Sequence, residues 1–447
     1  MVDRLVVIGG VAAGTKAAAT ARRRNPLADI VVLQAESDVS YSACGLPYHL
    51  EDPDAIPRRK LVARTVEEFR RDRIDMRVRH RVEEIDTGRQ RLTVLETESG
   101  RRYSEPYDRL LIATGASPIR PAITSGVDAL PSAGLRTLGD ADALLVQLPQ
   151  LRNVVILGGG YIGLEAAESF AHRGIGVTVV EAKDRLLPGF APAIGGPVAD
   201  LLQSSGVRVI AGRGVAALER DGVVLSDGER IDADLLLVAA GVRPQVDLAR
   251  QAGTTLGPTG AIAVTAGMET NVTNVYAAGD CAESTHIVSG RPVWLPLGDV
   301  ANRHGRVAGI NMAGGQARFP GVLGTAIFGA FGMAVARTGL DEKEAAAAGF
   351  DPVAEQVEAP SRAKYMASSR KLRIHMVADR KTGRVLGCQI AGLDAVDKIV
   401  DTVAAALLGK LTVSDLADLD LAYAPPFSPV AAPVQIAGEI LRKRCET

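Results

Sequence analysis

Two runs of consecutive apolar residues, each followed at once by glycines, punctuate the chain. Leu5-Val6-Val7-Ile8 leads into Gly9-Gly10-Val11-Ala12-Ala13-Gly14, and Val154-Val155-Ile156-Leu157 leads into Gly158-Gly159-Gly160-Tyr161-Ile162-Gly163. Short apolar runs without alternation suit strands buried on both faces of a parallel sheet. After the first run comes an alanine-rich helix ending at Arg22-Arg23-Arg24, then a strand over 30–33. After the second come a helix reaching His172 and a strand over 176–180 that ends at Glu181. Each is a βαβ start whose glycine turn lets backbone approach a pyrophosphate at a helix N-terminus. Apolar strands over 108–115 and 235–240 end in Gly115 and Gly241, and Val275-Tyr276-Ala277-Ala278 delivers Gly279 and Asp280. The pattern also predicts a helix over 64–69, a strand and turn over 76–85 and another over 91–98, and a helix start within 297–309. From about Phe328 it changes to a helix over 342–348, strands over 372–378 and 385–391, and an amphipathic helix over 396–408, with no phosphate-binding glycines.

The two glycine motifs differ in detail. The second satisfies G-x-G-x-x-G through Gly158, Gly160 and Gly163; in the first, Val11 replaces the middle glycine. Glu181 stands where an acid accepts hydrogen bonds from the ribose diol of NAD and repels a 2′-phosphate, which favours NADH, with NADPH use open through Lys183 and Arg185. At the matching place in the first motif stands Gln34, with Glu36 two residues on. Asp280 is suited to accept from a polyol hydroxyl.

At 447 residues the chain has room for roughly two to four domains. A net charge of -1 gives no reason to expect nucleic-acid binding. No apolar run is long enough to span a bilayer, and the N-terminus enters a strand directly without signal-peptide features, so a cytoplasmic protein is expected. Four scattered cysteines offer neither a disulfide framework nor C-x-x-C spacing, and the histidines have no metal-ligand spacing. One cysteine stands out, in Ser40-Tyr41-Ser42-Ala43-Cys44-Gly45-Leu46-Pro47-Tyr48, shortly after the first glycine motif. Gly45 and Pro47 suit a turn into a helix, which predicts Cys44 at a helix N-terminus, its thiol pKa lowered there or by cationic neighbours. Cys281, Cys388 and Cys445 read as structural or incidental.

Together with Ala113-Thr114-Gly115 and Ala277-Ala278-Gly279-Asp280, these motifs resemble the FAD-dependent pyridine nucleotide–disulfide oxidoreductases over essentially the whole chain. The lone cysteine and the Ala422-Tyr423-Ala424-Pro425-Pro426 segment resemble the single-cysteine branch, which holds coenzyme A-disulfide reductases, persulfide reductases and NADH oxidases and peroxidases. The resemblance implies an α/β fold with two Rossmann-like dinucleotide-binding domains and a C-terminal mixed α+β dimerisation domain. The implied division is FAD binding by 1–116 and 245–325, NAD(P)H binding by 117–244, and homodimerisation by 326–447. It implies that Gly9, Gly14, Val82, Gly115, Gly279, Asp280 and Gln34 or Glu36 hold FAD. Gly158, Gly160, Ile162, Gly163, Glu181 and Gly241 would hold NADH or NADPH, with Tyr161 gating the flavin.

Cys44 would alternate between a thiolate and a mixed disulfide with coenzyme A, aided by Tyr365 and Tyr423 from the partner subunit. Arg23, Ser40 and Ser42 are candidate substrate contacts, since guanidinium suits phosphate. Two departures bear on the acceptor: Ala43 stands where these reductases tend to have asparagine, and Ala12 where the peroxidases have histidine, so disulfide chemistry is expected over peroxide or oxygen reduction. No C-terminal extension accommodates a rhodanese domain, which weighs against a dedicated sulfur relay. The expected activity is reduction of a small disulfide of coenzyme A type. The alternatives are an NADH oxidase, a persulfide or polysulfide reductase, and, in another class, a redox-responsive flavoprotein that binds a partner.

Overall fold

A computed structural model describes residues 3–121, 123, 126 and 129–446. Strand Arg4–Ile8 is the centre of a five-stranded parallel sheet, between Asp29–Gln34 and Arg109–Ile112, with Ile74–Val78 and Val275–Ala277 at the edges. Asn153–Leu157 occupies the same place in a second parallel sheet, between Gly176–Glu181 and Leu235–Val238, flanked by Arg208–Ala211 and Ser132–Ala133. Because Val275–Ala277 completes the first sheet, the whole second sheet is an insertion into the first unit. The C-terminal portion is a five-stranded antiparallel sheet, Ala326–Ala330, Met333–Gly339, Val385–Gly392, Lys371–Asp379 and Pro352–Pro360 in spatial order, covered by helices Val396–Leu408 and Pro433–Cys445. The fold is therefore α/β with two Rossmann-like units and a mixed C-terminal portion, as expected. Among the described residues no helix is long and apolar enough to cross a membrane.

The strand and turn expected over 76–85 are present, and a second strand follows the turn. Ile74–Val78 stays in the parallel sheet, and Arg79, at φ 58°, turns the chain out into His80–Asp86, which pairs antiparallel with Arg91–Glu96. Helix Val66–Arg71 begins two residues later than the pattern suggests, because Thr65 caps it in a reciprocal box with Glu68.

One helix crossing fixes the first unit. Ala12–Arg24 and Gly298–Met312 approach so closely that a Cβ on Gly305 or Gly309 would collide with the carbonyl oxygens of Ala13 and Ala17. These glycines, four apart, put one face of the second helix directly on the backbone of the first. That contact carries the start of the Gly298 helix toward the first glycine turn.

Gly309→Ala is expected to destabilise the protein by about 1–3 kcal/mol through overpacking. Gly139→Ala, at an exposed helical glycine whose nearest neighbour to a new methyl is Thr137 Oγ1 at 3.7 Å, should leave the melting temperature unchanged or higher. Thermal unfolding of the two variants checks this.

Candidate functional site

Cys44 sits in a single 3₁₀ turn, Ala43–Gly45, that runs straight into helix Leu46–Glu51, with Pro47 in its first turn. The preceding segment is tied down by backbone: Ser40 N donates to Gly10 O at 2.8 Å, and Ser42 N to Leu61 O at 2.8 Å. Leu46 and Leu50 are buried in one apolar cluster with Leu164 and Phe170 of helix Tyr161–His172. Polar contacts complete the docking. Ser169 Oγ donates to Pro47 O at 2.8 Å, Arg173 Nε to Leu50 O at 2.6 Å, and His172 pairs with Glu51 at 2.7 Å. The apolar face of the helix is thereby sealed, while Ser42 and Cys44 remain exposed. A Cβ on Gly298 would stand 3.9 Å from Cys44 Sγ, so the thiol faces the start of helix Gly298–Met312.

The helix position agrees with expectation; the pKa does not. Surrounding protein desolvates the thiol and pushes its pKa up, and the charges bearing on it, from Glu165, Asp280 and Asp299, push the same way. The expected lowering is therefore not found in the protein chain itself. Glu165 shares its carboxyl with this site: Tyr48 Oη donates to its Oε1 at 3.2 Å. Burial holds Glu165 up at about 7, although bonds from Tyr48 and the Gly329 N–H favour its ionised form, and Tyr48 is pushed up to about 12.

The two glycine turns repeat one backbone solution. Gly9 and Gly158 have φ of 106° and 117°, and a Cβ on either would strike the carbonyl of Ala113 or Ala239. Helices Ala12–Arg24 and Tyr161–His172 both start without a side-chain cap or an acidic residue in the first turn. Their free N–H groups thus face open cradles suited to a pyrophosphate. In the second unit Glu181 Oε2 accepts from Gly159 N and Oε1 from Lys183 N, both at 2.8 Å. In the first, buried Gln34 accepts at Oε1 from Gly10 N at 2.7 Å and donates from Nε2 to Asp38 O at 3.2 Å. Glu36 is exposed, its Oε2 receiving Tyr41 Oη at 3.2 Å and Gln34 Nε2 at 3.4 Å. Gln34 is therefore committed to the turn, and Glu36 keeps an oxygen free.

A cavity of about 970 Å³ is lined by Gly158, Gly160, Tyr161, Ile162, Glu181 and Gly241 and runs to Leu295, Leu297 and Arg136. Tyr161 stacks on Phe328 of the C-terminal sheet, 4.6 Å between centroids. Asp280 and Gly115 meet at Arg136, whose Nη2 lies 3.4 Å from the Asp280 carboxylate and would be 3.6 Å from a Cβ on Gly115. Arg136 went unnoticed in the sequence, where no motif surrounds it. His304 supports the same turn: its Nδ1 accepts from Gly279 N at 3.3 Å, Nε2 faces Ser284 Oγ at 3.0 Å, and burial pulls it down to about 4. Val82 is buried in strand His80–Asp86 beside a register slip.

The remaining candidates lie apart. Arg22 is spent on the carbonyls of Pro26 and Arg73, whereas exposed Arg23 touches Thr20 Oγ1 at 3.2 Å. Tyr365 and Tyr423 are 76% and 51% exposed, on segments joined by Ala363 N donating to Pro425 O at 3.3 Å. Cys281 and Cys388 are buried and Cys445 half-buried. Among the described residues no cluster of three or more His, Cys, Asp or Glu is placed to hold a metal ion.

Residues 3–310 match the family model described as pyridine nucleotide-disulphide oxidoreductase, and residues 325–433 match that family's dimerisation domain. The chain is 38% identical to the NAD(P)H coenzyme A polysulfide/persulfide reductase of Pyrococcus horikoshii, over 99% of both chains. It is 28% identical to the coenzyme A disulfide reductase of Staphylococcus aureus, over 95% of this chain and 96% of that one. Among solved structures, reduced CoADR-RHD of Bacillus anthracis superposes with a TM-score of 0.96 at 33% identity, covering 100% of this chain and 81% of that one.

The fold raises Glu165 from its ordinary 4.5 to about 7, so it binds this proton more tightly than the unfolded chain does. That contribution to stability is whole below the unfolded value and is lost as pH rises through about 7. Glu165→Gln, which cannot ionise, should therefore gain in melting temperature relative to the wild type between about pH 5 and pH 8. Parallel pH dependences would contradict the shift.

Proposed function

The chain belongs to the pyridine nucleotide-disulphide oxidoreductase family, and we propose that it is a cytoplasmic, FAD-dependent NAD(P)H oxidoreductase reducing a small disulfide of coenzyme A type through Cys44. The observation that carries this reading is a solvent-open cysteine at a helix start, beside a glycine cradle, with no second cysteine near it in sequence. An exposed free thiol suits a reducing compartment.

The residues present fit both nucleotides. Gly9, Gly14 and the start of helix Ala12–Arg24 would hold the FAD pyrophosphate, Glu36 the ribose diol, and Gly115, Gly279, Asp280 and Arg136 the remainder, with Val82 offering backbone to the adenine. Gly158, Gly160, Gly163 and Ile162 would hold the nicotinamide dinucleotide, and Glu181, both oxygens fixed by backbone N–H groups, favours NADH over NADPH. Bound flavin would supply hydride acceptance from the nicotinamide and a two-electron return to sulfur.

Cys44 does the substrate chemistry. As a thiolate it attacks one sulfur of the disulfide, forms a mixed disulfide with that half, and releases the other half as a thiolate. Return of two electrons restores Cys44 and frees the second half, which leaves with a proton. In a homodimer built on the C-terminal portion, Tyr365 and Tyr423 from the opposite chain would donate that proton, and Arg23 with Ser40 and Ser42 would meet the phosphates of the substrate. The division of labour follows as 1–116 and 245–325 for FAD, 117–244 for NAD(P)H and 326–447 for pairing. The Pyrococcus relative's name favours a second reading, with a persulfide or polysulfide as acceptor.

NADH consumption with coenzyme A disulfide, polysulfide and oxygen as sole acceptors tests this: a sulfur acceptor should exceed oxygen by about tenfold or more. Cys44→Ser should keep flavin and NADH-dependent flavin bleaching yet lose sulfur turnover by at least about 10³-fold. Full turnover in that variant ends the reading. Glu36→Ala should raise the FAD dissociation constant about tenfold or more, by loss of a charged hydrogen-bond acceptor, and leave the NADH constant unchanged. Flavin fluorescence titration reads both.

A further inference from the structure

Glu165 is a half-buried carboxyl for which the reading above has no use. It projects from helix Tyr161–His172 and gathers donors from two other parts of the molecule: Tyr48 Oη at 3.2 Å, from the helix that Cys44 begins, and the Gly329 N–H of strand Ala326–Ala330. Among the described residues no Lys, Arg or His lies within ion-pair distance of it. Resting on the sulfur reading, we propose that Glu165 is a positioning residue for Cys44: its carboxyl braces the redox-cysteine helix against the nucleotide helix and the C-terminal sheet, and its charge governs how readily the thiol ionises.

The groups that face Cys44 narrow the choice to this one. Tyr48 lies one helical turn on, Asp280 comes from the turn after Val275–Ala277, and Asp299 from the first turn of Gly298–Met312. Asp280 is paired with Arg136 at 3.4 Å, and Asp299 is exposed, where water screens its field. Glu165 lacks both a counter-ion and full solvent, so a charge there is felt at the sulfur with less attenuation. Burial also places its own proton exchange at about 7, with Tyr48 and Glu168 as the titratable neighbours. Below that pH a neutral Glu165 leaves the thiol easier to ionise; above it the carboxylate holds the proton on sulfur. The thiolate fraction should therefore rise with pH less steeply than one isolated ionisation.

The test is the rate of Cys44 alkylation by iodoacetamide in the flavin-loaded dimer after reduction by NADH, from about pH 5.5 to 9.5, followed by mass of the Cys44 peptide. The wild type should give a shallow profile. Glu165→Gln, which can still accept from Tyr48, should give a steep single-ionisation curve with its midpoint lower by roughly half a pH unit or more. Tyr48→Phe removes a donor that favours the carboxylate, so Glu165 keeps its proton longer and the shallow region should move to higher pH. Profiles of both variants superimposed on the wild type overturn the proposal. The two ideas fail separately: sulfur turnover in Cys44→Ser tests the reading beneath, and the slope of this profile tests Glu165.

Discussion

The docking of a six-residue helix on a neighbour twice its length is the constraint from which the rest of the site follows. Leu46–Glu51 is too short to be stable alone. It is held because Leu46 and Leu50 are buried and because Ser169, Arg173 and His172, all from the inserted unit, satisfy its carbonyls and its terminal carboxylate. Cys44 therefore inherits its position from two units at once. The segment before it is tied to the first glycine turn through Ser40 N and Gly10 O, and the helix it leads is tied to the far end of helix Tyr161–His172. A substitution at Ser169 or Arg173, remote from any sulfur, acts on the thiol through this joint.

The two glycine cradles show how one backbone problem admits two polar solutions. In both, the residue after the positive-φ glycine needs an acceptor for its N–H, and the side chain ending the second strand supplies it. Glutamate does so with one oxygen and offers the other to a backbone N–H or a diol. Glutamine, having only one acceptor atom, must turn its amide outward toward Asp38 O. The first unit thus separates functions that Glu181 combines: Gln34 builds the turn, and Glu36, two residues on, keeps the negative charge.

The central strands of the parallel sheets were legible because they are continuous apolar runs, several of them ended by glycine, whereas the flanking strands Arg208–Ala211 and Ser132–Ala133 are too short to show such a run. The C-terminal portion was only half legible. Pro352–Pro360 alternates buried and exposed positions on an edge strand and carries a proline at each end, so its pairing partner decides its state. Helix Pro192–Ser204 hides behind Gly195, Gly196 and Pro197, and forms because Ile194, Val198 and Leu202 bury one stripe. Within the site, glycines and Cys44 announced themselves by spacing. Arg136, Tyr48, Glu165 and His304 did not, since each acts through a partner more than twenty residues away or on another element, and nothing local marks that.

The carboxylates around Cys44 look at first like an error of design, since a thiol that must attack wants to be a thiolate. The opposite holds for a sulfur that works in both directions. Intrinsic nucleophilicity falls as thiol pKa falls, and a low-pKa thiolate is also the better leaving group. A Cys44 of strongly lowered pKa would be displaced from its mixed disulfide by the thiolate it had just released. On the proposed reading, negative charge and desolvation leave less of Cys44 as thiolate but make that thiolate intrinsically more nucleophilic and a poorer leaving group, which would let the mixed disulfide persist until it is reduced. The start of helix Gly298–Met312, which lies against the same atom, brings a compensating partial positive charge. On the proposed reading, the balance between those two fields would bear on the direction of sulfur exchange.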